Sequence, residues 1–123
     1  MGESFKDLVV WQRAVQMALE IYKLTADFPA SERFGLTNQL RRASVSVASN
    51  IAEGYGRSTR GEYIQFLGHA RGSNCEVQTQ LEIARALNFG RTERIGEAEA
   101  LSEEVRKMLF GLLESLKPPR PEN

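Results

Sequence analysis

The side chains in this sequence that could do chemistry are a few helical carboxylates, one histidine, one thiol, one interior serine and a set of arginines. Glu53, Glu62, Glu76 and Glu82 lie on segments of helical spacing. Carboxylates projecting inward from facing helices are how helical bundles hold paired metal ions, and that chemistry needs Glu-x-x-His on two of the helices. The only histidine, His69, has Phe66 three residues before it. One histidine and one cysteine, Cys75, cannot make a zinc shell. Neither Ser46 nor Cys75 has an identifiable base, and GYG at 54–56 is a turn, far from a phosphate-binding loop. The residues predict no catalytic site, no metal and no cofactor.

Polar groups are nevertheless placed with regularity. In LTNQLRRASVSVASNIAEGYGR, the apolar residues Leu36, Leu40, Ala43, Val47 and Ile51 share one side of a helix. Gln39, Arg42, Ser46, Asn50 and Glu53 form a second stripe, and Ser44, Ala48 and Ala52 a third row of small residues. HARGSNCEVQTQL repeats the pattern with Arg71, Glu76 and Gln80 among apolar positions. Gly68 and Gly72 sit there in a helix interior, where each glycine costs about 1 kcal/mol against alanine. The preferred reading is a paired polar network across the bundle, with Gln39, Arg42, Asn50 and Glu53 facing Arg71, Glu76 and Gln80. The sharper alternative is that some of these groups hold a phosphate or a partner. Ser44, Ala48, Ala52, Gly68 and Gly72 are expected where another subunit comes close, because small residues permit a near approach.

Four helices must position these groups. Asp7 is expected to cap the first, which runs to about Thr25 and ends at Phe28-Pro29. It carries two apolar rows, one through Leu8, Trp11, Val15, Ala18 and Tyr22, the other through Ala14, Met17, Ile21, Leu24 and Phe28. So wide a stripe implies more than one neighbouring element. The second helix spans about Leu36 to Glu53 and is broken by Gly54 and Gly56. Thr59 and Glu62 make a capping box for a third helix from Arg60 to about Leu87, closed by Asn88-Phe89-Gly90. Thr92 is expected to cap the fourth, which ends before Pro118-Pro119. With no strand pattern, the expectation is an all-α, antiparallel up-down-up-down four-helix bundle over residues 1–117, followed by a disordered tail at 118–123.

Composition narrows the class. At 123 residues, 26% charged, the chain fits one domain, and its apolar runs are too brief to cross a membrane. The N-terminus lacks a secretory pattern and a lone cysteine cannot form an internal disulfide, so the expected compartment is the cytoplasm. Net charge is zero, but residues 33–91 hold eight bases against four acids. A basic surface on the central helices would therefore be modest.

Three segments resemble a known family: LVVWQRAVQMALEIYKLT, FGLTNQLRRASVSVASNIAEGYGR and EYIQFLGHARGSNCEVQTQLEIARALNF. Together with a weaker fourth-helix pattern, over about Phe5 to Leu116, they are similar to the four-helix-bundle proteins encoded in intervening sequences of bacterial 23S ribosomal RNA genes. The family usually has proline where this chain has Ala48. The resemblance implies a homo-oligomeric ring, typically a homopentamer. It extends to the accessory variability determinant of diversity-generating retroelements, which binds a reverse transcriptase and nucleic acid. Carried over by position, its signature residues are Trp11, Gln39, Arg41, Arg42, Asn50, Glu53, Gly54, Phe66, Arg71, Gly72, Ser73, Glu76 and Gln80.

Two functions from different classes follow. The first is a non-enzymatic oligomer associated with ribosomal or other RNA, through Arg41, Arg57, Arg60, Arg85, Arg91 and Arg94, whose charge a ring would concentrate. The second is an accessory scaffold that binds a protein partner without touching RNA.

Overall fold

A computed structural model describes residues 4–119. Its long elements are α1 (Val9–Thr25), α2 (Leu36–Tyr55), α3 (Arg60–Ala86) and α4 (Thr92–Leu116), with short 3-10 turns at Phe5–Asp7 and Ala30–Glu32. No strand occurs among the described residues. None of the helices is long and apolar enough to cross a membrane. The tail expected at 118–123 lies outside the described residues from position 120 onward.

Each helix packs on two others: α1 on α2 and α4, and α3 on α2 and α4. The core takes the row Ala14, Met17, Ile21 and Leu24 from α1, all fully buried. Against it lie Leu40, Val47 and Ile51 of α2, the Leu67–Ala84 seam of α3, and Ile95, Ala98, Val105 and Leu109 of α4. Cross-helix pairs fix the register. Arg13 meets Glu104 and Glu20 meets Arg94 between α1 and α4. Ser46 meets Ser73 between α2 and α3.

The helix ends differ from expectation in physical detail. Asp7 belongs to the first 3-10 turn, which Ser4 caps, and α1 begins at Val9 without a side-chain cap. Gln12 Nε2 ties that turn to the helix by donating to the Lys6 carbonyl at 2.8 Å. Thr59 does cap α3: its Oγ1 accepts the Glu62 N–H at 3.1 Å. The same hydroxyl donates to Glu62 Oε1 at 3.1 Å, so the carboxylate binds the cap's side chain where a backbone N–H was expected. Thr92 is the first residue of α4 and caps nothing; Arg91 holds the cap position.

Gly54 does not break α2, which continues to Tyr55. A β-carbon there would lie 2.9 Å from Phe66 Cβ and 3.1 Å from Tyr63 Cδ1. The glycine is needed because α2 and α3 touch at this point. Gly56 has φ −80°, an ordinary helical value, so it supplies no left-handed cap. That conformation appears instead at Asn88 (φ 60°) and Gly90 (φ 75°) in the turn between α3 and α4. Gly90 is constrained twice, since a β-carbon would also approach Leu24 Cδ1 to 2.6 Å.

Candidate interaction surfaces

The second apolar row of α1 remains outside the core. Trp11, Val15 and Ala18 are half-buried and Tyr22 is exposed. With Phe5 and Leu19 they wall a groove of about 420 Å³ whose other side is Val45, Ala48, Ser49 and Ala52 of α2. Among the described residues, no charged side chain lines it. The Phe5 ring stands edge-on to Trp11 at 5.2 Å and shapes one end. The groove exists because α1 is apolar around more of its circumference than two helical neighbours can cover.

Ala48 and Ala52 form part of its floor, as an interface row would. Ser44 does not. It is fully buried, and its hydroxyl donates to the Arg41 carbonyl at 3.0 Å, so its small size serves packing inside the bundle. Gly68 and Gly72 are exposed on α3, and a β-carbon at either would meet nothing within 4 Å. No close approach among the described residues explains these two glycines.

The polar stripes of α2 and α3 are arranged otherwise than expected. Gln39, Arg42, Glu53, Arg71 and Glu76 are all exposed. Gln39, Arg42, Ala43, Ser46, Glu76 and Gln80 do share one cleft of about 440 Å³ between the helices. Among the described residues, however, no ion pair joins Arg42 to Glu76, and Glu53 pairs within its own helix turn, with Arg57 at 3.1 Å. Asn50 also stays local: its Nδ2 donates to the Ser46 carbonyl at 2.9 Å and to Ser46 Oγ at 3.0 Å. Only Ser46 bonds across, to Ser73 at 2.9 Å. Gln80 Oε1 is shut off from solvent with no hydrogen-bond partner. These residues flank the seam at the rim of the α2–α3 contact, where solvation is cheaper than a buried charge pair. The buried inter-helix polar pair lies elsewhere, at Asn74 and Ser102 between α3 and α4.

The arginines proposed for RNA are mostly engaged. Arg41 Nε donates to Thr25 Oγ1 at 2.8 Å, and its guanidinium lies 4.6 Å over the Tyr22 ring. Arg57 sits between Glu53 and Glu62 and 4.6 Å over Phe66. Arg85 is bound to Glu99, whose carboxylate holds the guanidinium's proton affinity above its already high value. Arg91 pairs with Glu93 and Arg94 with Glu20, each at 3.7 Å. Of the six, Arg41 and Arg60 lack an ion pair among the described residues, and Arg41 is held by Thr25 and Tyr22 instead. The arginines are also divided between ends of the bundle. Arg57 and Arg60 flank the α2–α3 turn, while Arg85, Arg91 and Arg94 flank the α3–α4 turn, separated by the length of α3, about 40 Å for 27 residues.

The remaining chemically capable groups are scattered. His69 is exposed, with its ring edge-on to Phe66 at 5.7 Å. Cys75, Glu76 and Glu82 are exposed on α3. Among the described residues no three His, Cys, Asp or Glu side chains gather as a metal shell requires. Tyr63 beside Gly54 has its phenol pushed above the usual 10.0, first by burial and then by nearby Tyr55.

A model of the family described as 23S rRNA-intervening sequence protein matches residues 6–111. The chain belongs to that family. Among solved structures, six chains match. One is a crystal structure, at 1.70 Å, of a protein with unknown function from the S23 ribosomal protein family of Bacteroides thetaiotaomicron. It is 22% identical, with a TM-score of 0.76, over 85% of this chain and 98% of that one. This likeness extends the fold of a 23S rRNA-intervening sequence protein to a distant sequence. No curated protein matches the chain.

Proposed function

We propose that this member of the 23S rRNA-intervening sequence protein family is a non-enzymatic assembly module of the cytoplasm. Its antiparallel up-down-up-down bundle joins copies of itself into a ring, a homopentamer, which acts as a scaffold for a protein partner. The observation that carries the reading is the largely apolar groove of about 420 Å³ that the described residues form between α1 and α2. An apolar surface of this extent, left open by a chain's own packing, marks a place where protein meets protein. The opposed registers of the Arg13–Glu104 and Glu20–Arg94 pairs support the antiparallel order. Sedimentation tests the assembly. Five copies of a 13.8 kDa chain predict a species of about 69 kDa, and a species of 13.8 kDa at all concentrations overturns the reading.

RNA association is the second reading. Arg42, Arg60 and Arg71 favour it: all are exposed and without an ion pair among the described residues, and a ring repeats each of them. Retention on RNA that falls as salt rises, and that weakens when all three become alanine, is the expected result. Retention indifferent to salt counts against it.

A further inference from the structure

The self-association just proposed leaves open what fills the groove. A groove is filled most closely by a surface that projects. The chain has one. Phe34, just before α2, is 85% exposed, the most exposed large hydrophobic side chain among the described residues.

Phe34 is held outward by a braced loop. The 3-10 turn Ala30–Glu32 precedes it, the Glu32 carbonyl accepts the Gly35 N–H at 2.9 Å, and the Glu32 carboxylate accepts the Leu36 N–H at 3.0 Å. The Arg33 guanidinium lies 5.3 Å from the ring centroid. A side chain carried on a braced backbone leaves less chain to order on insertion. Nor does it stand alone. Ile83 and Leu87 of α3 are 45% and 53% exposed. Ile83 shares a cleft with Gln39, and the α2–α3 register carries Leu87 further toward the start of α2, where Phe34 stands. Three exposed large apolar side chains therefore lie toward the corner where α2 starts and α3 ends, and none of them lines the groove.

We infer that this corner of one copy, with Phe34 as the inserted side chain, occupies the α1–α2 groove of a second copy. Charge sets its direction. At one end the groove runs into a cleft bordered by Glu53, at the other into one bordered by Arg41 and Arg42. Arg33 travels with Phe34 and seats toward Glu53. Donor and acceptor surfaces differ, so the contact is head-to-tail, the kind that generates rings when its rotation closes.

The test uses two full-length variants at positions already exposed in the single bundle: Phe34→Glu, which spoils the projection, and Val45→Glu, which spoils the groove. Each alone is expected to sediment as a 13.8 kDa monomer with a cooperative unfolding transition. A concentrated equimolar mixture is expected to yield a two-chain species of about 27.6 kDa, twice 13.8 kDa, because one variant retains the groove and the other the projection. Phe34→Ala, which adds no charge, should weaken wild-type assembly by about tenfold or more. If wild type assembles and both Phe34 variants assemble equally well, the inference fails while self-association stands. Monomeric variants that stay monomeric when mixed exclude a head-to-tail contact. A wild type that never assembles removes both.

Discussion

Asn74 of α3 and Ser102 of α4 close a two-way hydrogen bond in the core. Asn74 Nδ2 donates to the Ser102 carbonyl at 3.0 Å, and the Ser102 hydroxyl donates back to Asn74 Oδ1 at 2.8 Å. Asn74 is 2% exposed and Ser102 fully buried. The pair is satisfied only when α3 and α4 sit in this register. Ser102→Ala strands the Asn74 carbonyl oxygen and should cost about 1–3 kcal/mol. Combining it with Asn74→Leu should restore part of the loss, giving a coupling of about 0.5–3 kcal/mol in a urea-unfolding double-mutant cycle. Strict additivity would show that the two side chains act independently.

The glycines divide into opposite classes. Gly54→Ala forces a β-carbon to 2.9 Å from Phe66 Cβ and should destabilise by about 1–3 kcal/mol through overpacking. Gly68→Ala and Gly72→Ala meet open space, and each should stabilise by about 0.5–1 kcal/mol. Neither lies in the groove or at the Phe34 corner, so the assembled mass should be unchanged. A fall in mass on either substitution would place a neighbouring subunit on the outer face of α3.

What could be read from sequence follows what periodicity encodes. The four-three spacing of Leu67, Ala70, Asn74, Val77 and Leu81 predicts which face of α3 is buried, and all five are buried. Periodicity gives an angle around a helix; it does not give depth. Arg42, Glu53 and Glu76 lie at the angles expected, yet at the solvated rim, so they do not form the buried network. Ser44 lies deeper than its row suggested. Ser102 could not be found at all, because its partner is fixed by the α3–α4 register, which no local pattern contains. Gly54 is a related case: in sequence a helix breaker and a close-approach glycine look alike, and only the packing of Phe66 and Tyr63 against it tells them apart.

Arg57 is a clamp on the α2–α3 turn more than a free cation. It contacts Glu53, Glu62 and the Phe66 ring, all from a half-open position. Arg57→Ala should lower stability by about 1 kcal/mol or less, with the effect shrinking in high salt, and should leave RNA retention as it was. Loss of retention without loss of stability would return Arg57 to the list of RNA contacts.

Tyr63 gives the fold an alkaline sensitivity. Its phenol is raised above 10.0 in the folded chain, so the unfolded chain ionises first. The associated stability is therefore full below 10.0 and is lost as pH rises through the folded value. Tyr63→Phe should flatten the dependence of the urea midpoint on pH in this window. An unchanged slope would assign the alkaline loss to another group.

Trp11, the chain's only tryptophan, lines the α1–α2 groove and reports directly on whether another copy covers it. Acrylamide quenching of its fluorescence, followed through a dilution series, is the decisive measurement. Weak quenching and blue-shifted emission are expected while the protein is assembled, with both reversing together as dilution separates the chains. Quenching that is strong and identical at every concentration, from a chain that sediments at 13.8 kDa throughout, would contradict it.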